Sequence, residues 1–113
     1  MKLAYVAGPY RATTEWELEE NIRRAEGCAI ALWQMGYAVI CPHLNTAHFG
    51  GLCDNDVWLK GDLEILSRCD LIVVVGKVSV GVQGEIDLAG ELGIPLYFWP
   101  QWKTALLADV VVP

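Results

Sequence analysis

The chain has 113 residues, 54% of them hydrophobic and 19% charged, which is enough apolar material for one continuous core and too little length for two domains. Eight Lys and Arg against fourteen Asp and Glu leave a formal charge of −6; that excludes the basic face a nucleic acid polymer needs and leaves a single nucleotide open as a partner. No apolar run nears the roughly 18–20 residues that cross a bilayer, so no membrane partner is expected, and Leu3–Ala7 is too short for the core of a secretion signal.

In chain order, Leu3–Ala7 is a short apolar run stopped by Gly8-Pro9, the pattern of a buried strand ending in a turn. Thr14-Glu15-Trp16-Glu17 has the spacing of a capping box, after which Leu18, Ile22, Ala25, Ala29 and Leu32 recur on one face of a helix of about five turns. Gly36 stands where a glycine cap would close it, and the outer face offers the pairs Glu19–Arg23 and Glu20–Arg24. Tyr37–Cys41 is the second strand, closed by Pro42. From Pro42 to Asn55 there is no period, and a long loop of the kind that often carries function is expected. Asp56 can cap a second helix reaching about Arg68, with Leu59, Leu63 and Leu66 on one stripe and Asp62 bordering it.

Leu71–Val75 is unbroken and apolar, as in a strand buried on both faces of a parallel sheet. Gly76–Gly84 is loop-like, a third helix runs from about Gln83 to Leu92 and stops at Gly93 and Pro95, and Leu96–Trp99 is the fourth strand. Trp102, Leu106 and Leu107 fit a short final helix. The alternation of strand and helix predicts a three-layer α/β/α domain: a doubly wound, flavodoxin-like or Rossmann-like parallel sheet of four or five strands.

In such a sheet, ligands bind beyond the carboxyl ends of the strands where the strand order reverses. With the order 2-1-3-4, that crevice lies between Gly8-Pro9-Tyr10-Arg11 and the loop from Lys77 to Gly84. Ser79 and Gly81, ahead of a helix start, would let an anion approach backbone N–H groups. Glu85, expected in the first turn of that helix, is either an ionised nucleophile whose pKa the helix dipole lowers or an acid of the sort first turns favour anyway. Asp62 reaches the ligand edge if it lies in the N-terminal half of its helix; Asp70, at the amino edge, suits a turn or cap.

Cys41-x-His43-x4-His48-x4-Cys53 matches no standard zinc spacing, so no metal is expected and His43 is better read as a substrate contact. The four cysteines contain no C-x-x-C pair, which fits reduced thiols in a cytoplasm. Tyr5 and Tyr10 flank the first loop; either one stacks on a planar base or, for Tyr5, the ring is simply core.

Taken together, Tyr5-Val-Ala-Gly8-Pro9-Tyr-Arg11, Pro42-His43, the run from Asp62 to Asp70 ahead of an apolar strand, Ser79-x-Gly81-x-x-x-Glu85 and Gly93-Ile-Pro95 resemble the nucleoside 2-deoxyribosyltransferase-like superfamily. The resemblance spans residues 3 to 98 or so and implies N-glycosidic bond chemistry on a nucleoside or nucleotide, without cofactor, in a homodimer or larger homo-oligomer. It implies Glu85 as the nucleophile that forms a glycosyl ester, Asp62 as the handler of the departing base's proton, Tyr5 as the residue orienting the nucleophile, and Gly8 as the opening for the sugar. Ser79 stands where transferases acting on free nucleosides have an aspartate, and it is similar to the serine of the nucleoside 5′-monophosphate N-glycosidase branch, which implies a phosphate contact there and a second at Arg11. Pro9 departs from that branch, which has serine after its glycine, and matches short uncharacterised relatives instead. The rival expectations are a nucleotide-sensing module without catalysis, in which Glu85 only caps a helix, and a dimerisation domain built on the tryptophans.

Overall fold

The structure, a computed structural model, describes residues 1–100; the final helix expected around Trp102, Leu106 and Leu107 lies outside the described residues. The elements run β1 (Leu3–Ala7), α1 (Glu15–Gln34), β2 (Ala38–Ile40), α2 (Pro42–Asn45), α3 (Asn55–Leu66), β3 (Leu71–Val74), α4 (Val80–Leu92) and β4 (Leu96–Phe98). The four strands form one sheet in the order β2-β1-β3-β4, with every neighbouring pair parallel. The switch point therefore falls between β1 and β3, where Ala7 pairs with Val74.

Side-chain alternation divides the core. Ala4, Val6, Leu71, Val73 and Val75 pack against Ala25, Cys28, Ala29 and Leu32 of α1 on one face. Tyr5, Ala7, Ile72 and Val74 pack against Leu66 of α3 and Val82 and Ala89 of α4 on the other. Three of the five residues on the expected α1 stripe are buried, and Cys28 joins them. Thr14 caps α1, its Oγ1 accepting from the Glu17 N–H at 3.1 Å, while the Glu17 carboxylate turns to Thr13 rather than closing the box. Gly36 ends that helix at φ +96°, a conformation that costs glycine nothing.

Four local expectations change. The stretch after β2 is not wholly loop, because Pro42 starts the short helix α2. Helix α3 begins at Asn55 with Asp54 in the capping position, not Asp56. Helix α4 starts at Val80, three residues before Gln83, because the Ser79 hydroxyl accepts from the Val82 N–H and caps it there. On α1, Arg23 pairs with Glu19 at 3.0 Å, but Arg24 bonds the Asn21 side chain instead of Glu20. Asp70 does serve the amino edge: its carboxylate accepts from the Leu3 N–H at 2.7 Å and its own N–H donates to the Leu3 carbonyl, joining β3 to β1 at the start of both strands.

Candidate active site

Glu85 sits on the inner face of α4 because Val82 and Ala89, three positions before it and four after, are both buried against the sheet. Tyr5, central in β1, points to that same layer and is completely buried. Its hydroxyl donates to the Glu85 carboxylate and so ties β1 to α4. Asp62 lies half-buried on α3 in the C-terminal half of the helix, not the N-terminal half that reaching the ligand edge was expected to require; its place four residues before the buried Leu66 turns it toward the middle of the sheet, where its charge is felt by both Tyr5 and Glu85. Two carboxyl groups and one phenol thus share one side of the sheet, within electrostatic reach of one another.

The electrostatics reverse one expectation. Glu85 stands in the second turn of α4, since the helix begins at Val80, and the dipole's effect fades beyond the first turn. Burial instead raises its pKa from 4.5 to about 7; the Tyr5 hydrogen bond opposes that rise, and the Asp62 charge adds to it. Burial likewise raises Asp62 to about 6. Tyr5 is held far above its ordinary value, first by burial and then by the Glu85 charge, so it is always a donor. Near neutral pH, then, the carboxyl pair holds roughly one proton between its two members, and protonation of either bears on the other. One ionised and one protonated carboxyl is the equipment of a retaining glycoside-cleaving site.

The remaining predicted residues divide. Gly8 is demanded by the fold: a Cβ there would lie 2.7 Å from the Val75 carbonyl oxygen, where the loop crosses the end of β3. Gly81 has open space, with only Leu59 Cδ2 at 4.0 Å from a would-be Cβ, so no packing reason for a glycine exists there. Ser79 is exposed and its oxygen is engaged in capping, which leaves its O–H free to donate. The Arg11 guanidinium is exposed and donates to the Asn55 side chain at the start of α3, a partner with no signal in the sequence. Pro9 presents its carbonyl not to the crevice but to His43 Nε2 at 3.0 Å. His43 is consequently not a free substrate contact: it is buried, and burial lowers its pKa. Of the Cys-His-His-Cys series, Cys41 and His43 are buried and Cys53 is exposed, and among the described residues no three His, Cys, Asp or Glu side chains gather as metal ligands.

Fold and side chains together define a parallel α/β protein with a half-buried carboxyl pair on the α3/α4 side of its sheet, held at the middle of β1. Residues 2–99 match the family described as a domain of unknown function, DUF7768, and the chain belongs to that family. Among solved structures it is similar to a 2-deoxyribosyltransferase from the psychrotolerant bacterium Bacillus psychrosaccharolyticus, with a TM-score of 0.57 and 22% identity over 85% of this chain and 70% of that one. At that identity the likeness is one of fold. No curated protein matches the sequence. Among the described residues no helix is long and apolar enough to cross a membrane.

Proposed function

We propose that the chain cleaves or exchanges the N-glycosidic bond of a nucleoside or, as Ser79 favours, a nucleoside 5′-monophosphate. The observation that carries this reading is a half-buried glutamate, Glu85, hydrogen-bonded by a buried tyrosine and coupled to a second carboxyl, with both acids titrating near neutrality. Glu85 holds the pair's proton more firmly than Asp62, so the reactive form is the minor one in which that proton rests on Asp62; ionised Glu85 then attacks the anomeric carbon as the bond to the base breaks. The electron pair of that bond leaves with the base, which takes a proton from the Asp62 carboxyl. The Tyr5 O–H fixes the carboxylate oxygen that does not attack. Water or a second base then attacks the anomeric carbon of the glycosyl ester, yielding its proton to Asp62 and freeing Glu85. The similarity in fold to a 2-deoxyribosyltransferase supports the reaction class. Assembly into dimers or larger homo-oligomers belongs to the same reading, and Leu59 and Val80, exposed beside Gly81 and Ser79, offer apolar surface for it.

The test is incubation with a panel of nucleosides, deoxynucleosides and their 5′-monophosphates, with free base followed by chromatography and the glycosyl ester by intact-protein mass. Base release that disappears in Glu85→Gln, together with an adduct one sugar heavier than the protein, is expected. Ligand binding with no base released from any member of the panel would leave a nucleotide sensor in place of an enzyme.

A further inference from the structure

His43, at the start of α2, is a polar side chain with only 6% relative exposure. Its Nε2 lies 3.0 Å from the Pro9 carbonyl oxygen. A carbonyl can only accept, so Nε2 carries the hydrogen, and burial disfavours a second proton on the ring. The other nitrogen, Nδ1, is then a bare acceptor, shut off from solvent and without a partner among the described residues. Buried polar atoms are seldom left unmatched. Here the matched nitrogen holds the loop leaving β1 at the switch point.

That loop is pinned at successive residues. Gly8 rides directly over the Val75 carbonyl, with no room for a Cβ. Pro9 has its carbonyl taken by His43, and Tyr10 has its carbonyl taken by the Asn21 side chain at 3.2 Å. The Tyr10 ring also meets the His43 ring edge-on, their centroids 5.6 Å apart. The strand feeding this loop carries Tyr5, whose hydroxyl holds Glu85. Helix α2, begun by Pro42, thus brings a hydrogen-bond donor from the end of β2 across to the wall of the crevice.

We infer that His43 is a positioning residue: through the Pro9 carbonyl and the Tyr10 ring it fixes the Gly8–Tyr10 loop as one wall of the substrate crevice, without itself touching the substrate. This rests on the reading of the site as a nucleoside or nucleotide pocket. Three variants separate the roles of the ring. His43→Phe keeps the packing on Tyr10 and loses the donor, His43→Gln keeps an N–H donor at a similar reach, and His43→Ala loses both.

In kinetics on the best substrate of the panel, His43→Phe and His43→Ala are expected to raise KM at least tenfold with kcat within about threefold, and His43→Gln to return KM to within about threefold of the parent. Unchanged KM in all folded variants overturns the inference. Equal loss in all three, the Gln variant included, also overturns it, because the N–H donor would then not be what holds the wall. Two NMR measurements stand apart from activity. The chain has only two histidines, so imidazole 15N shifts report the His43 tautomer directly, and the Nε2–H form is expected. Backbone relaxation at Gly8, Tyr10 and Arg11 should show new fast motion in His43→Phe and its reversal in His43→Gln. If the protein releases no base, the proposed reaction fails while relaxation still decides the clamp: loop amides as rigid in His43→Phe as in the parent overturn it.

Discussion

Replacing Glu85 with glutamine should stabilise the protein above neutral pH while abolishing base release. Folding raises the Glu85 pKa from 4.5 to about 7, so the folded chain binds this proton more tightly than the unfolded chain does. The group therefore adds no penalty below the unfolded value, and stability is lost as pH rises through about 7. At about 1.4 kcal/mol per unit, ionised Glu85 costs the folded state ~3 kcal/mol near pH 8, a large share of the roughly 5–15 kcal/mol that holds a domain together. Glutamine cannot ionise, yet it keeps an oxygen for the Tyr5 hydroxyl. Urea unfolding followed by tryptophan fluorescence at pH 5 and pH 8 reads the difference. With a slope of roughly 1–3 kcal/mol per molar urea, the variant's midpoint at the higher pH should rise by about 1–3 M. At the lower pH the gap should shrink below about 1 kcal/mol, since Glu85 is then mostly protonated in the folded chain. A variant no more stable than the parent at pH 8 would refute both the buried placement of this carboxyl and the strain ascribed to its charge.

The other expectations are narrower. Base release should follow a bell in pH with flanks near about 6 and about 7, because below it both carboxyls are protonated and no nucleophile remains, while above it both are ionised and no acid remains; a profile flat from pH 5 to pH 8 would break the acid-and-nucleophile pairing. Asp62→Asn should slow turnover by about 10²–10⁴ in steady-state assays with a nucleoside whose base leaves poorly, and a loss under threefold would make Asp62 structural. Asn55→Ala releases the Arg11 guanidinium and should tighten binding of a nucleoside 5′-monophosphate by about fivefold, the worth of roughly one hydrogen bond, with the free nucleoside unaffected in calorimetry. Gly8→Ala forces a Cβ to within 2.7 Å of a backbone oxygen and should lower stability by about 2 kcal/mol or more in thermal unfolding.

Much of this molecule was legible before any coordinates. The unbroken Leu71–Val75 run, the Leu3–Ala7 run and the helical spacing of Ala25, Ala29 and Leu32 are local patterns that tie burial to backbone period, so the elements and their layering followed from them, whereas the order 2-1-3-4 was only assumed and is supplied by the sheet. Turn chemistry was equally local: Gly36 and Gly93 close α1 and α4 with positive φ. The pointing of Glu85 toward the sheet was not read, because a helix begun at Gln83 leaves Val82 outside it; its spacing from Val82 and Ala89 carries that signal only once the helix starts at Val80. What the chain could not disclose alone are effects that depend on surroundings. A carboxyl's pKa is set by how much water its neighbours exclude, and only the meeting of α4 with Tyr5 turned an expected decrease at Glu85 into an increase. A histidine at the end of β2 looks like a substrate contact until the tertiary fold lays the Pro9 carbonyl against its ring, and an exposed arginine looks free until Asn55, far along the chain, is folded beside it. Local sequence decides which faces are buried; hydrogen-bond partners and dielectric are properties of the packed whole, fixed only when distant segments come together.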